Sequence, residues 1–511
     1  MGFTTTLFLF VFFPVSVLLY YIFNLLSTKG PLANVFQKFR VCDIVLIIVS
    51  LVFYAAAGIG NMWKLCLYIA LVYAVGWGIQ FKRDFKNRGF NSMYSYDDDE
   101  DETDEDGNPK KKKRDWILLG IMVLGVAFVT VVLIYFKYSD FLTNLFTFDF
   151  KGSGKASLIA PIGISFITFS SVSYIVDIYK DKASSMNPID CALYICFFPK
   201  VVSGPIVLWR DFKPQCGSRS LSVDTLFDGI QRLMIGFAKK LIIADTFGVC
   251  IAKTAGAAID VPTAWGVNLL FMLQIYFDFS GYSDIAIGLS RIFGFEFEEN
   301  FNFPYLSTSI TDFWRRWHIS LGTWFKEYIY IPLGGSRKGQ LRTILNLAVV
   351  FLISGLWHGA GWTFIIWGLL NGLFRILEKL MENSRFYNAI PSFFKWLVTM
   401  VIVYLCWIVF RFTDFTQLID WFKLMFGIKT YSNVPFTFLY YFDWQIIAFA
   451  AIALFGSTIL GFEGVKSYFE RVRESSAGFM FFRQLLGIAL FVLAVMFMVS
   501  STYSPFIYMQ Y

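Results

Sequence analysis

Long apolar runs recur along the whole chain, and short polar stretches separate them. An α-helix needs about twenty apolar residues to cross a bilayer, so the pattern predicts an all-α polytopic membrane protein with roughly 11 to 13 membrane segments. Two of the runs, 190–208 and 342–359, are expected to be re-entrant or short. The predicted spans are 5–25, 42–59, 63–81, 116–137, 157–177, 190–208, 227–252, 263–291, 342–359, 361–380, 393–412, 444–462 and 484–504.

Basic residues concentrate in four places, and these predict the orientation of the chain. The clusters are 29–40, Lys82–Arg88, Lys110–Arg114 and Lys466–Arg483. Cytoplasmic loops carry an excess of Lys and Arg, so all four are placed on the cytoplasmic side. Both termini are then extracytoplasmic, and the number of full crossings is even. The first apolar run is not preceded by basic residues and has no small-residue cleavage site. We therefore expect a transmembrane span that is retained rather than a signal peptide that is removed.

A strongly charged insert divides the chain. Asp97–Asp106 holds nine carboxylates in ten positions, and Lys110–Arg114 follows it. Such blocks cannot build a core, so 91–115 is predicted to be a disordered cytoplasmic loop, with calcium or partner binding as the minor alternative. The predicted organisation is 1–90 for the N-terminal spans, 116–385 for a catalytic core, and 386–511 for C-terminal spans with an extracytoplasmic aromatic tail.

Composition supports the membrane class and narrows the chemistry. Hydrophobic residues make up 57% of the chain, the mean hydropathy is +0.58, and charged residues are 16%. A soluble protein carries about 25% charged residues, so a large soluble enzyme is excluded. The seven cysteines have no paired ligand spacing, and with two histidines no metal site is predicted. The bilayer is the expected partner, and no nucleic-acid partner is expected.

The two histidines both follow a tryptophan, in Trp317-His318 and Trp357-His358. Histidine is the side chain best suited to proton transfer near neutral pH. His358 lies in an apolar run dotted with glycines, where it could take the proton from a hydroxyl that attacks an acyl carbonyl. The alternative is a histidine that joins helices by a hydrogen bond. The neighbouring Gly355 would permit close backbone approach, or leave room for a narrow channel.

Carboxylates also stand inside an apolar helix. Asp278 and Asp284 occur in the run Phe277-Asp-Phe-Ser-Gly-Tyr-Ser-Asp284, where an unpaired carboxylate is costly. Two interpretations stay open for them: a direct catalytic role, or a structural ion pair with a nearby arginine such as Arg315.

A short amphipathic piece follows, and it carries His318. Asp312 and Arg316 are one helical turn apart, as are Trp314 and His318. Together with Arg315 and Lys326, Arg316 concentrates positive charge that could hold the phosphates of an anionic donor. Anchoring to anionic lipid headgroups is the alternative.

Several motifs occur together in a recognisable order. They are Gly163-Ile-Ser-Phe-Ile-Thr-Phe169, Phe197-Phe-Pro-Lys-Val-Val-Ser-Gly-Pro205, Phe277-Asp-Phe-Ser-Gly-Tyr-Ser-Asp284, Asp312-Phe-Trp-Arg-Arg-Trp-His-Ile-Ser-Leu321 and Leu356-Trp-His-Gly-Ala360. This pattern resembles the membrane-bound O-acyltransferases, and most closely their bacterial branch typified by alginate O-acetylase. The resemblance covers roughly 155–380, and the insert 91–115 departs from it.

The resemblance implies a helical bundle with a central tunnel and a donor thioester that enters from the cytoplasm. It implies His358 as the catalytic histidine and His318 as a second polar site residue. The implied protein is an O-acetyltransferase of the bacterial plasma membrane that has no permanently bound cofactor and uses acetyl-CoA as donor. The acceptor is a cell-envelope polysaccharide or exopolysaccharide, reached through an extracytoplasmic SGNH-hydrolase-like partner.

The C-terminus adds a separate hypothesis. Phe506-Ile-Tyr-Met-Gln-Tyr511 resembles the ending of small relay peptides in teichoic-acid D-alanylation, with Tyr511 in place of a phenylalanine. Tyr508 would then accept the acyl group as a phenolic ester. The alternative is an aromatic anchor at the membrane interface.

Other functions remain open at this point. One rival is D-alanyl transfer from a carrier-protein thioester to teichoic acid. A second is a transporter or scramblase, because buried carboxylates and broken helices also mark permeation paths. A third and weaker alternative is a structural scaffold for polymer export.

Overall fold

A computed structural model describes residues 2–29, 31, 33–93, 115–146, 161–183, 186–217, 219, 221–500 and 506–507. Within these ranges the chain is helical and contains no β-strand, which confirms the all-α fold class. Seven apolar helical stretches in them are long enough to cross a bilayer. They are Phe8–Lys29, Ile59–Phe85, Trp116–Ser139, Gln340–His358, Ser392–Arg411, Trp444–Gly461 and Gly478–Ser500.

The other helices are shorter, more polar or more deeply buried. Val41–Ala55 and Ile164–Tyr179 are apolar but shorter. The remaining larger helices are Val223–Ala238, Asp245–Lys253, Val261–Ile292, Trp362–Met381, Phe415–Met425 and Glu463–Ser475. The short helices and turns are Ala33–Lys38, Pro188–Cys196, Phe198–Val201, Trp209–Phe212, Lys213–Gln215, Lys239–Ala244, Pro304–Leu306, Ile310–Arg316, Ile319–Phe325, Lys326–Tyr330, Arg385–Ala389, Phe438–Tyr441 and Ile459–Gly461.

The outer helices expose large apolar side chains, as expected of a surface that faces lipid. Leu18, Leu124 and Val499 are 61%, 72% and 67% exposed on three different spans. A soluble protein rarely leaves such apolar bands uncovered. The structure therefore agrees with the predicted multi-pass arrangement.

The Val261–Ile292 helix forms the centre of the bundle, and nearly all of its side chains are buried. It crosses the Val223–Ala238 helix, and the two helices contact each other at glycine residues. A Cβ on Gly236 would stand 2.7 Å from the Gly281 carbonyl oxygen, and one on Gly288 would stand 2.6 Å from that of Gly229. Only glycine permits this approach, which is the usual way that membrane helices pack closely.

The Gln340–His358 and Trp362–Met381 helices form a hairpin that is closed in the same way. A Cβ on Gly355 would lie 2.5 Å from the Phe364 carbonyl oxygen, and one on Gly368 would lie 2.5 Å from that of Phe351. Of the two roles considered for Gly355, close backbone approach is therefore confirmed. This packing fixes the end of the hairpin that carries His358.

Some boundaries differ from the predicted spans. The run 190–208 is not one helix: Pro188–Cys196 and Phe198–Val201 are separated at Phe197, because Pro199 cannot donate the backbone hydrogen bond that would continue the first helix. Conversely, the run 342–359, also expected to be re-entrant or short, lies in a full helix of 19 residues, Gln340–His358. The charged insert lies almost wholly outside the described residues, and the four-part division of the chain stays a prediction.

Candidate active site

His358 is the last residue of the Gln340–His358 helix, and it is buried. Its ring stands edge-on to those of Trp357 at 4.7 Å, Trp367 at 4.8 Å and Phe410 at 5.2 Å between centroids. These rings come from three different helices. The imidazole is therefore held in an aromatic pocket inside the bundle.

The end of this helix is capped by side chains from the Trp116–Phe146 helix. The Lys137 Nζ donates to the carbonyl oxygen of Trp357 at 2.5 Å and to that of His358 at 3.4 Å. The Tyr138 hydroxyl donates to the Leu356 carbonyl at 2.6 Å. A cation at a helix C-terminus satisfies free carbonyls and opposes the negative end of the helix dipole. Neither residue was predicted from the sequence, where only their position at the end of a predicted span distinguishes them.

His318 lies between two short helices and is also buried, at 1% exposure. Its backbone is left-handed, with φ at 46°, where it begins the Ile319–Phe325 helix. The preceding helix ends at Arg316, so Trp314 and His318 do not lie one turn apart on one helix as predicted. The helix is interrupted between them, because Trp317 is extended and His318 starts a new helix.

Asn300 determines the tautomer of His318. The Asn300 Oδ1 also accepts hydrogen bonds from the Ser320 backbone N–H at 3.3 Å and the Ser320 hydroxyl at 2.9 Å, which identifies it as the amide oxygen. The His318 Nδ1, 3.0 Å away, must therefore carry a proton and donate it. Burial lowers the pKa of His318 to about 3, so the ring is neutral at physiological pH. Its Nε2 is then an acceptor, and it has no partner among the described residues.

Trp357 brings the two histidines to one place. Its ring centroid is 6.2 Å from that of His318 and 4.7 Å from that of His358. The indole Nε1 of Trp357 is buried, and it too lacks a hydrogen-bond partner within the described part of the chain. His318 thus offers a free acceptor, and the neighbouring Trp357 offers a free donor. Such a pair suits a substrate that presents a hydroxyl and a carbonyl.

Asp278 and Asp284 both form buried ion pairs, but not with Arg315. The Lys240 Nζ lies 2.6 Å from Asp278 Oδ1 and 2.7 Å from Asp245 Oδ1. Asp284 pairs with Arg232 and Lys239, each at 2.6 Å. The expected ion pair with an arginine is therefore present for Asp284, with Arg232, whereas Arg315, the arginine named as an example, is exposed on another helix. Lys240 was not singled out in the sequence, since it stands in an ordinary Lys239-Lys240 pair.

The amphipathic basic piece lies at the surface rather than in the aromatic pocket. Arg316 and Asp312 form the expected ion pair, with 2.9 Å between Nε and Oδ1. The side chains of Arg315 and Lys326 are exposed. The structure therefore places these cations apart from the histidines.

The C-terminal tail returns into the bundle. Phe506 and Ile507 are 1% and 6% exposed, and the Ile507 backbone N–H donates to Asp278 Oδ2 at 2.8 Å. The Phe506 ring packs edge-on against Tyr282 at 4.4 Å. Phe279, the next residue after Asp278, contacts the His318 ring at 4.7 Å. Tyr508 and Tyr511 lie outside the described residues.

Comparison with known proteins adds to this geometry. Residues 126–390 match the model of MBOAT, the membrane-bound O-acyltransferase family. A probable alginate O-acetylase of Pseudomonas putida is 33% identical, and the match covers 100% of each chain. A peptidoglycan O-acetyltransferase of Helicobacter pylori is 34% identical over 84% of this chain and 80% of its own.

A more distant relative is a teichoic acid D-alanyltransferase of Bacillus subtilis, 31% identical over 55% of this chain and 70% of its own. All three names describe the transfer of an acyl group, so the predicted acyltransferase class is confirmed, and the transporter and scaffold alternatives gain no support. In this chain, two buried histidines contact one tryptophan. The family model matches half of the chain, and relatives align with all of it, so this chain belongs to the membrane-bound O-acyltransferase family.

Proposed function

We propose that the protein transfers an acetyl group from acetyl-CoA towards an extracytoplasmic polysaccharide of a bacterial cell envelope. The observation that carries the proposal is the meeting of His318 and His358 at the Trp357 ring. The names of the more similar relatives, which are O-acetylases and O-acetyltransferases, support acetyl as the acyl group.

His358 acts as the general base in this proposal. It takes the proton from the attacking hydroxyl while the hydroxyl oxygen forms a bond to the thioester carbon. The carbon–sulfur bond then breaks, and the leaving thiolate takes the proton back from the imidazolium. His318, which is neutral and has a free Nε2, orients the substrate by accepting a hydrogen bond from a donor other than the hydroxyl that His358 deprotonates.

The surface cations Arg315, Arg316 and Lys326 hold the donor phosphates in the same proposal. Guanidinium groups suit phosphate because they offer parallel N–H donors. Their exposure leaves them accessible to a soluble donor, whereas the thioester must reach the buried histidines. The donor binds transiently, and no permanently bound cofactor is proposed.

Asn300 is a positioning residue for His318. We expect Asn300→Ala to lower kcat about 10- to 100-fold, because His318 loses the acceptor that fixes its ring and tautomer. The matched control is Ser283→Ala, which removes the hydrogen bond on the other side of Asn300 and leaves the His318 contact intact. Acyl-transfer rates of both variants, measured in the same detergent, test this role. Equal rates for the two variants would contradict it.

The tail supplies a route for the product. We propose that the Tyr508 phenol is the hydroxyl that attacks the thioester, and that the resulting phenolic ester passes the acyl group to an external SGNH-hydrolase-like partner. The docking of Phe506 and Ile507 supports this proposal. Tyr508 follows Ile507 directly in the sequence.

A Tyr508→Phe variant tests the relay. It keeps the aromatic ring but removes the nucleophile, so we expect at least a tenfold loss of ester-bound acyl groups from the polymer. Tyr511→Phe is the matched control, because it removes a phenol three residues further along the same tail. The measurement is polymer ester content together with mass spectrometry of the C-terminal peptide. Unchanged ester content in Tyr508→Phe would refute the relay.

The proposed setting is the bacterial plasma membrane, with both termini outside the cytoplasm. This orientation rests on the four basic clusters. It places the tail on the same side as the polymer and the partner. Cysteine labelling from outside intact cells at position 511, with position 84 as the cytoplasmic reference, tests it.

D-alanyl transfer is the second candidate, because one relative is a teichoic acid D-alanyltransferase. The two functions differ in the group that mild alkali releases from the envelope. We expect acetate whose amount depends on this protein. D-alanine in its place would transfer the assignment to the second candidate and leave the acyltransferase chemistry unchanged.

A further inference from the structure

A polar cavity lies beside the first long helix, away from the histidines. Its volume is about 560 Å³, and its walls come from the second half of Phe8–Lys29, the segment from Phe36 to Asp43, and the residues Gly217 and Arg219. Neither the catalytic proposal nor the surface cations of the amphipathic piece involve these walls.

A buried cluster of charges forms the floor of the cavity. Arg40 pairs with Asp43 and Asp190, Arg219 pairs with Asp43 at 2.6 Å, and Lys213 pairs with Asp190 at 2.8 Å. Three cations thus meet two carboxylates, both of which are almost completely buried. Among the described residues, the cluster therefore carries one excess positive charge. An uncompensated charge in such a place is costly, so the cluster favours an anion.

Arg219 has donors to spare for that anion. Its side chain is 95% buried, since its exposure is 5%. The Nη1 forms the ion pair with Asp43 and donates to the Gln215 carbonyl at 3.4 Å, the Nε donates to the Tyr20 hydroxyl at 3.3 Å, and the guanidinium lies 4.4 Å from the Phe295 ring. The Nη2 has no hydrogen-bond partner among the described residues, although Arg219 lines the cavity. Packing therefore holds the guanidinium rigidly while two N–H donors remain available.

The backbone conformation of Arg40 is a further indication of a binding site. Its φ is 54°, a left-handed conformation that is unusual for a residue with a side chain. Such strain persists only where the surroundings impose it, and it concentrates at functional sites. Here it lets one guanidinium bind both buried carboxylates, which keeps the cluster compact beneath the cavity.

We propose that this cavity binds a phosphate group. A guanidinium with free N–H donors matches phosphate oxygens, and a single excess positive charge matches one phosphodiester. The phosphate has two possible carriers. One is a phospholipid, whose chains would lie along the exposed Leu25 on the same helix, and the other is a soluble molecule such as coenzyme A.

Three variants of the full-length protein test the proposal in nanodiscs. Arg219→Gln removes the free donors. Thr28→Trp fills the cavity and leaves every charge in place, since Thr28 is an exposed wall residue. Lys38→Gln is the matched control, because it removes an exposed cation of the same segment that does not line the cavity, and it leaves every charge of the cluster in place.

The probes are phosphatidylglycerol, followed by native mass spectrometry after delipidation, and coenzyme A, followed by calorimetry. We expect one probe to bind wild type at one site, Arg219→Gln and Thr28→Trp to weaken it at least tenfold, and Lys38→Gln to change it by less than about threefold. The probe that responds identifies the carrier. Binding that Arg219→Gln and Thr28→Trp leave unchanged, or no binding of either probe to wild type, would overturn the proposal. The readout is binding rather than acyl transfer, so its failure leaves the proposed function untouched.

Discussion

Replacing His358 by alanine is expected to lower kcat for acyl transfer by about 10²- to 10⁴-fold, the usual contribution of a positioned general base. The ring is enclosed by Trp357, Trp367 and Phe410, and no other histidine besides His318 exists in the chain. KM for the donor should change little, because the donor phosphates are proposed to bind at the surface. The measurement is the rate of thiol release from acetyl-CoA, together with polymer ester content in cells.

His358→Gln separates chemistry from packing. Glutamine fills much of the same volume and can donate a hydrogen bond, but it cannot take up a proton at neutral pH. It should therefore fold as the wild type does and be as inactive as His358→Ala. His318→Gln should retain more activity than either, since His318 is proposed to orient rather than to deprotonate. Wild-type ester content in a folded His358→Gln protein would refute the assignment of the base.

Replacing Lys240 by methionine is expected to destabilise the protein by about 3–5 kcal/mol, the usual cost of removing one partner of a buried ion pair. Lys240 is the shared cation of Asp278 and Asp245, and its side chain is 1% exposed. Its loss removes the cation that Asp278 and Asp245 share. The measurement is unfolding followed by tryptophan fluorescence in one detergent.

Lys239→Met is the control for this variant. Lys239 is the adjacent residue and also pairs with a buried carboxylate, but Asp284 keeps Arg232 when Lys239 is lost. We expect it to cost about 1 kcal/mol or less. The double variant Lys240→Met with Asp278→Asn should recover part of the loss, because one stranded charge is removed. If the two single variants prove equally stable, Lys240 does not hold the centre of the bundle.

The same lysine links stability to the tail. Asp278 uses one oxygen for Lys240 and the other for the Ile507 backbone N–H, and Lys240 also stands 4.7 Å from the Phe506 ring. A disturbed Asp278 would release both anchors of the tail. Accordingly, the Lys240→Met protein should lose its C-terminal residues to carboxypeptidase faster than Lys239→Met does.

Most helices could be predicted from hydropathy, and the differences between the predicted and the observed helices have identifiable causes. Most predicted spans coincide with helices because twenty apolar residues have few alternatives to a helix in lipid. The run 190–208, which was expected to be re-entrant or short, is divided into two short helices because Pro199 interrupts an otherwise apolar segment. The prediction that Trp314 and His318 lie one helical turn apart was wrong, because the left-handed His318 begins a new helix.

The two histidines illustrate what the sequence by itself determined. Their rarity, their tryptophan neighbours and the apolar run around His358 identified them as the candidate chemistry, since a polar side chain in such a run requires a reason. The membrane class, the family resemblance and the asymmetry of basic residues followed from composition and order along the chain alone. All of these are properties that depend on residues close together in sequence.

Only the tertiary structure decided which distant residues meet. Asn300 sets the tautomer of His318, Lys137 caps the helix that ends at His358, and Lys240 rather than Arg315 neutralises Asp278. Each of these contacts joins residues that lie 18 to 221 positions apart. Hydropathy and spacing report how a segment relates to water and lipid. The partner of a buried polar group instead depends on how the helices pack, and that is a property of the whole bundle.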